Sequence, residues 1–509
     1  MSKFNKSSVG TNKTPDAVNM AGGKSFNRND FRQDVASVVL TSMLSGESFY
    51  ETEKERLARI EALINSDESN AEFVAKAMIF ARTQCNLRSI SHFMGVLLSE
   101  KAKGKNFLRR ALEKTIVRPD DATEMLSLYN VRNSGKMLPN SMRRAFKDSF
   151  ELKFDAYQLK KYAAESSTVK LKDVIKLCRP NPTILVESGK TNDFDIFKKL
   201  IEGTLPKIST AQTINAGSKG VERADNYKEL LITRKLGYMA AIKNIKNMLE
   251  AGLDKDGFTA LCDLLVNERA VLNSKLLPFR FFQAYQEVEK INIDRIDRNK
   301  ILACIEKAFL ISAKNIPIVE DGERVAILLD ESGSMSSRSQ VSNLSYFEIG
   351  KILTASMFGG LDKGNVTTWL WSDRAREISI DMSPMRFVMN QGTTGGGTML
   401  SDSILGLMKT KTNVDVMIII SDMQSTQVDS WGRGKKFIDA LNEYKRDINS
   451  KVKVLFWNVA GYAGGMPCKL VNGVLEVSGF SDKILDVAAK MLRYSDPMYL
   501  VKEIEKVSL

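Results

Sequence analysis

The spacing of apolar residues divides the chain into two textures. From about Phe31 to Ile316, apolar positions recur every three or four residues. "VASVVLTSML", "EKERLARIEALI", "AEFVAKAMIFART" and "HFMGVLLSEKAKG" all read this way, as amphipathic helices do. In "GYMAAIKNIKNMLEAGL", Met239, Ile242, Ile245 and Met248 share one face, and Gly252 suits the helix stop. These segments come in pairs joined by short polar turns, with no strict period. The pattern predicts an all-α solenoid of helical hairpins. Periodicity alone leaves an irregular helical bundle open.

After Pro317 the pattern changes. "RVAILLD", "VTTWLWS", "VDVMIIIS" and "VKVLFWNVA" are short, β-branched or aromatic, and nearly continuous in apolar character. Such runs suit strands covered on both faces. Helical segments alternate with them: "SYFEIGKILTASMF", "LSDSILGLMKT", "KKFIDALNEYKRDI" and finally "DKILDVAAKMLRYS". Strand–helix alternation predicts a doubly wound, mostly parallel α/β sheet. Residues 1–30 are rich in Ser, Asn, Lys and Gly, lack an apolar period, and are expected to be a disordered tail. The expected divisions are therefore a tail over 1–30, a helical domain over 31–318 and an α/β domain over 319–509.

Composition narrows the chemistry. The chain has 509 residues and 43% apolar content, enough for several globular domains. Its longest apolar runs, such as "VMIII", are too short to cross a bilayer. Lys3 and Lys6 are followed by polar residues, so no signal peptide is expected. Five scattered cysteines show neither zinc-ligand spacing nor a disulfide framework, and a cytoplasmic location follows as the expectation. His92 is the only histidine, which leaves little room for Ser-His-Asp, Cys-His or multi-histidine metal chemistry. It is expected to be a packing or surface residue.

Charge is unevenly placed. Residues 101–250 hold 30 Lys and Arg against 17 Asp and Glu, the whole of the chain's +13 excess. One segment with all the excess predicts attraction to a polyanion, nucleic acid being the simplest. The plainer alternative is that lysines solvate helix faces.

The stretch "AILLDESGSMSS" carries the other candidate site. Asp330, Ser332 and Ser334 alternate just beyond a strand, and Gly333 permits a close turn. A carboxylate and two hydroxyls are hard oxygen donors of the kind that hold Mg²⁺, Mn²⁺ or Ca²⁺. Thr398 follows three glycines in "GGGTMLSD", and Asp422 ends the strand in "IIISDMQS". Ligands of open α/β sheets bind at such carboxyl ends of strands. The five oxygen groups leave at least one position of a six-coordinate Mg²⁺ for a partner's oxygen. The simpler reading is that Ser332 and Ser334 cap the next helix. Ser332 stands where a D-x-D phosphatase has its second Asp, and neither "GTTGGGT" nor "ESGSM" supplies a P-loop lysine, so binding is expected rather than catalysis.

The D-x-S-x-S pattern resembles the metal-ion-dependent adhesion site of von Willebrand factor A domains. A helical region with a basic segment followed by such a domain resembles the Ro ribonucleoprotein family, with its TROVE domain. "SGESFYETEKERLARIEALI", "RRAFKDSF", "LGYMAAIKNIKNML", "LLPFRFFQAYQEV", "LLDESGSM", "WSDRAREI" and "GFSDKILDVAAKML" carry the likeness, over roughly residues 31–509. The resemblance implies HEAT-like repeats closed into a ring by the A domain. It also implies small noncoding RNAs of the Y type on the outside and single-stranded 3′ ends in the hole. A role in RNA quality control beside exoribonucleases, with no enzymatic activity of its own, follows from the same likeness. The basic residues expected to meet phosphate are Arg143, Arg144 and Lys147, spaced for one helical face, then Lys160, Lys161, Lys170, Lys172, Lys176 and Arg179. Leu171 stands where family members often carry a histidine. The alternative function is a metal-dependent protein-interaction module, in which a partner's carboxylate fills the open metal position.

Overall fold

The computed structural model describes residues 15–28, 30–41, 52–65, 70–101, 106–163, 168–181, 196–204, 219–274, 276, 278–313, 319–320, 322–339, 344–360, 363–379, 383–390, 392, 394–426, 435–462, 466–470, 473–479 and 482–509. Its elements begin with strands β1 (Ala17–Val18) and β2 (Lys24–Ser25). Helices α1 (Phe31–Thr41), α2 (Glu53–Asn65), α3 (Ala71–Thr83), α4 (Arg88–Lys101) and α5 (Leu108–Thr115) follow. Next come α6 (Pro119–Arg132), α7 (Asn140–Leu152), α8 (Ala156–Tyr162), α9 (Leu171–Cys178) and α10 (Ile196–Glu202). The later helical stretch holds α11 (Gly220–Ile232), α12 (Tyr238–Ala251), α13 (Lys255–Leu265), α14 (Glu268–Ser274), α15 (Pro278–Glu289) and α16 (Arg295–Ala313). The chain falls into two compact units: Met1–Thr41, Ser45–Thr52 and Ala211–Leu500 form one, and Ser42–Leu44, Glu53–Thr210 and Val501–Leu509 the other.

In the second of these units, helices pack on neighbours one to three places along the chain. α3 lies on α4 and α5, α4 on α6, α5 on α7, and both α6 and α7 on α9. Apolar residues three and four apart supply the shared core, among them Met78, Phe80, Leu97, Leu112, Met125, Phe146, Phe150 and Val174, all buried. Gly95 lets α4 close on its neighbours, because a Cβ there would reach Met125 Cε and lie 3.1 Å from Leu112 Cδ2. At the start of α8, Asp155 accepts the Gln158 N–H at 2.8 Å, and the Gln158 side chain accepts the Asp155 N–H at 3.1 Å. This reciprocal cap satisfies two otherwise orphaned donors. The chain's last residues belong to the same unit: Lys114 Nζ donates to the Ser508 carbonyl at 2.9 Å.

In the other unit, α12 ends where expected, on Gly252 at φ +80°. Beyond the helices, strands β3 (Val325–Asp330), β6 (Val366–Trp371), β8 (Val416–Ser421) and β9 (Lys453–Asn458) occupy the four apolar runs. Short β4 (Arg338–Ser339) and β5 (Leu344–Ser345) pair with each other. Two edge strands complete a six-stranded sheet, β7 (Ala375–Ile378) and β10 (Val474–Ser478), in the order β10-β9-β8-β3-β6-β7. Only β7 runs antiparallel. Helices α17 (Tyr346–Gly360), α18 (Pro384–Asn390), α19 (Leu400–Lys409), α20 (Phe437–Asp447), α21 (Asp482–Tyr494) and α22 (Tyr499–Glu505) complete the described elements. On one face of the sheet, Ala326, Leu328, Met417, Ile419, Val454 and Phe456 pack with Ile404, Leu407, Phe437, Leu441 and Tyr444. Alternate residues of three strands thus share a layer, as the two-residue strand period requires. On the other, α17 sits close over β3 because position 350 is glycine, where any Cβ would run into Leu329. A helical array followed by a doubly wound α/β sheet is the fold that the two textures predict.

Residues 15–28 differ from the expected disorder; residues 1–14 lie outside the described chain. β1 and β2 form a hairpin turned at Asn19–Gly23, where the Asn19 carbonyl accepts the Gly22 N–H at 3.0 Å and its side chain accepts the Gly23 N–H at 2.8 Å. Phe26 is buried and exchanges both backbone hydrogen bonds with Met466. Arg28 forks onto Glu476 at 2.7 Å through two nitrogens, both side chains almost wholly buried. Low apolar content hid this segment, since polar and ionic pairs with the α/β domain, far along the chain, order it. Breaking such a pair from one side leaves a buried charge uncompensated and costs roughly 3–5 kcal/mol. Arg28→Ala is expected to lower the thermal midpoint of the purified protein by several degrees, read by calorimetry, while a replacement at exposed Val18 leaves it unchanged.

Candidate functional site

Strand order alone places two carboxylates together. β3 is central, and the chain leaves it first toward β6 and later returns on its other side as β8. The β3–β8 boundary is therefore the switch point, where a crevice opens at the carboxyl ends. Asp330 ends β3 and Asp422 follows β8 directly, both fully buried. Asp330 accepts the Ser332 N–H at 2.8 Å on one oxygen and the Ser421 hydroxyl at 2.6 Å on the other. Ser332 Oγ and Ser334 Oγ lie 3.3 Å apart, and both side chains are buried. Asp422 accepts the Gln424 N–H at 3.1 Å on Oδ1, while its buried Oδ2 has no hydrogen-bond partner among the described residues. Met423, between these two residues, is held at φ +64°, a conformation non-glycine residues adopt at a cost and mostly near functional sites.

The glycine-rich loop is laced to the same crevice. Gly395 N–H donates to the Glu331 carbonyl at 2.9 Å and Gly333 N–H to the Gly396 carbonyl at 3.3 Å. Gly397 N–H donates to Asp373 Oδ1 at 2.8 Å, and the Ser425 hydroxyl to the Thr398 carbonyl at 2.9 Å. Thr398 is buried with the other four. The structure thus gathers Asp330, Ser332, Ser334, Thr398 and Asp422 at one end of the sheet. Asp373, Ser421 and Ser425 were missed by sequence reasoning, though "WSD" and "ISDMQS" put each beside a strand end.

Electrostatics make this a costly place for two acids. Burial, then the Asp422 charge, pushes the Asp330 carboxyl up to about 8, against the opposing hydrogen bonds from Ser421 and Ser332. Burial pushes Asp422 up to about 6, partly offset by Ser334 and the Gln424 N–H. Buried like charges hold on to protons unless a cation replaces them.

The second candidate site lies on the helices of the other unit. Arg143 and Arg144 of α7 are exposed, and Arg143 donates to Asn140 Oδ1 at 2.9 Å. Lys147 is partly buried and pairs with Glu151 at 3.8 Å. α9 packs on α7, and Cys178 at its end, whose thiol burial pushes up to about 12, feels the charges of Lys147 and Arg143. Arg179, next along, is exposed and held at φ +48°, where a helix end usually has glycine. Arg143, Lys147 and Arg179 therefore belong to adjoining helices. Lys172 is partly buried and Lys176 exposed on α9, while Lys170 caps it, its own N–H donating to Asp173 at 2.9 Å. Lys160 and Lys161 stand on α8, which packs on α6. Lys161 lies 5.9 Å from the Tyr157 ring and 5.5 Å from that of Tyr162, and Arg118 lies 4.8 Å over the latter. Tyr157 is exposed, with an aromatic face of the kind on which a base can stack. Beside α7, a cleft of about 810 Å³ is lined by Lys101, Arg109, Lys136, Asn140, Ser141 and Arg144. Sequence spacing did not connect Lys101, Arg109 and Lys136 with Arg144; helix packing does.

His92 is neither a surface residue nor packed among apolar groups alone. It is fully buried, with Nδ1 2.7 Å from Glu124 and Nε2 3.3 Å from Asp121, both out of line for hydrogen bonds. Asp121 accepts from Arg82 at 2.7 Å and Arg88 at 2.8 Å. Although burial opposes it, His92, Arg82 and Arg88 hold the Asp121 carboxyl well below the usual carboxylate range. A lowered pKa stabilises the fold above the unfolded value near 3.9 and loses that contribution as pH falls. Asp121→Ala, which strands the buried Arg82, is expected to cost roughly 3–5 kcal/mol in urea unfolding at pH 7 and to flatten the loss of stability below pH 4.

The TROVE domain family model matches residues 32–227 and 203–315. The chain belongs to the TROVE domain family. The family expected from the sequence, that of Ro ribonucleoproteins, is therefore the one found. Telomerase protein component 1 of Rattus norvegicus is 22% identical, over 43% of this chain and 11% of that protein. Its counterpart in Mus musculus is 24% identical over the same shares. The chain thus spans only 11% of the length of these curated relatives. The crystal structure of the Deinococcus radiodurans RO (RSR) protein superposes with a TM-score of 0.59 at 14% identity, covering 90% of this chain and 100% of that one. That likeness is one of fold. Among the described residues of this TROVE family member, no helix is long and apolar enough to cross a membrane.

Proposed function

We propose that this TROVE family member is an RNA-binding protein of the ribonucleoprotein type. In this reading it takes small noncoding RNAs, Y-like RNAs included, and single-stranded 3′ ends, and scaffolds their quality control or turnover beside an exoribonuclease in the cytoplasm. The observation that carries it is the meeting of Arg143 and Lys147 of α7 with Arg179 at the end of α9, together with the cleft beside α7 that Arg109, Lys136 and Arg144 line. Cations on a rigid helical face contact phosphates without reading sequence. The partly buried Lys160, Lys170 and Lys172 and exposed Lys161 extend it. Filter binding to single-stranded RNA tests the reading, and no retention at low salt overturns it. The role is binding and not catalysis: the one histidine is locked inside an ionic cluster, out of reach of any ligand.

A divalent cation, Mg²⁺ before Mn²⁺ or Ca²⁺, belongs to the same reading. The fit rests on the unpartnered buried Oδ2 of Asp422 and on an all-oxygen donor set. Asp330, Ser332, Ser334, Thr398 and Asp422 would hold it, some through water. Bound there, the ion would offset the two buried carboxylates and supply an electrophilic position for a partner's oxygen. That feature favours a second reading, in which a partner protein's carboxylate is captured and the A domain serves complex assembly. Loss of a protein complex in Asp330→Ala, with RNA affinity negligible throughout, would favour it over the first.

A further inference from the structure

A second basic cleft lies in the unit that carries the α/β sheet, which includes neither α7 nor α9. Its volume is about 620 Å³, and its walls come from α12, α15, β4 and α17. The floor is apolar, made by Ile242, Ile245, Ala284 and Leu344, all buried. The walls are cationic: Lys243 and Lys246 from α12, Arg280 from α15, Lys290 just beyond α15, and Arg338 from β4. Two carboxylates also line it, against five cations. Glu287 pairs with Lys246 at 3.3 Å, and Glu348 accepts the Ser345 N–H at 2.8 Å at the start of α17. The lining therefore keeps a net positive charge. Arg280 is half-buried, hydrogen-bonded to Gln283 at 3.1 Å, and burial holds its guanidinium below its ordinary value. A partly desolvated guanidinium gains more from an anion than one in water does.

We propose that this cleft binds a terminal phosphate monoester of an RNA chain, with the last nucleoside on the apolar floor. The proposal rests on the RNA-binding reading and adds the part of the RNA that this site selects. Three features favour an end over an internal phosphate. A monoester carries nearly two negative charges at pH 7 where a diester carries one. Cations converge on the cleft from three separate elements, as suits a compact dianion. A pocket of this size, near the middle of the range for small-molecule sites, suits one nucleotide with its phosphate.

The test uses three RNA octamers of one sequence, bearing a 5′-phosphate, a 3′-phosphate, or hydroxyls at both ends. Fluorescence anisotropy with the full chain is expected to show one phosphorylated octamer binding about tenfold more tightly than the hydroxyl octamer, a factor worth about 1.4 kcal/mol. Which of the two gains identifies the end. Lys243→Ala with Lys290→Ala, and separately Arg338→Ala, alter exposed side chains and should each reduce that preference, leaving hydroxyl-octamer binding unchanged. Equal affinity for all three octamers overturns the proposal, as does a preference that survives both variants. Competition by poly-glutamate as effective as by the phosphorylated octamer would assign the cleft to an acidic protein and overturn it too. No binding of any octamer would defeat the RNA reading itself, an outcome distinct from equal binding.

Discussion

Alanine at Arg143, Arg144 and Lys147 together is expected to weaken single-stranded RNA binding about a hundredfold at low salt and to flatten its salt dependence. Each phosphate contact releases condensed counterions, contributing about 0.7 to the slope of log affinity against log salt for single strands. Removing three such cations should reduce the slope by about 2. The affinity loss follows from charge-assisted hydrogen bonds worth about 1 kcal/mol or more apiece, hence about 3 kcal/mol or some hundredfold. Lys147, already paired with Glu151 at 3.8 Å, should contribute least of the three. All three stand on α7, whose core face is held by Met142, Ala145, Phe146 and Phe150, so the fold should survive. Filter binding across a potassium chloride series reads both quantities. Parallel lines for the two proteins, however far apart, would show that these side chains do not meet phosphate.

The second large effect concerns the paired acids. In EDTA, the protein is expected to lose stability as pH rises from 5 to 8, and millimolar Mg²⁺ should restore it. The sign follows from the raised carboxyl values. Asp330, pushed up to about 8, and Asp422, to about 6, hold protons in the folded state that the unfolded chain releases near pH 3.9. Between those limits the folded form binds more protons, so stability is full below the unfolded value and declines as pH climbs through the folded one. A cation in the crevice removes the penalty by replacing the protons, and its affinity should therefore rise with pH. Asp330→Asn, neutral and nearly isosteric, should raise the midpoint in EDTA at pH 8 by about 5 °C, the scale of a 1–2 kcal/mol gain in a domain of this size. It should also abolish the Mg²⁺ shift. Scanning calorimetry with and without Mg²⁺ checks both, and an unchanged Mg²⁺ shift in the variant would place the cation elsewhere.

Much of this architecture is legible in the order of residues. The central strands stand out because burial on both faces demands unbroken apolar runs, as in "VAILL" and "VMIII". Edge strands β7 and β10 do not, since "AREI" and "VLEVS" carry charge at positions an edge tolerates or a partner neutralises. Glu476 inside β10 is such a case, bound to Arg28 from the other end of the chain. The N-terminal hairpin is hidden for the same reason: long-range polar pairs leave no local period.

What each segment can become is written locally. Periods of 3.6 and 2 are properties of a short stretch of chain, and they set helix against strand wherever one face must be buried. Residue type likewise dictates that Asp330, Ser332, Ser334, Thr398 and Asp422 offer only oxygen, and that residues 101–250 carry the excess charge. Which of these groups meet is settled in three dimensions alone. The sheet order brings Asp422 beside Asp330 across a gap of 91 intervening residues, and burial there turns two ordinary carboxyls into proton-retaining ones. Helix packing joins Arg143 and Lys147 to the end of α9, and encloses His92 among charges. Contact and desolvation depend on distances through space, and a linear pattern does not encode them.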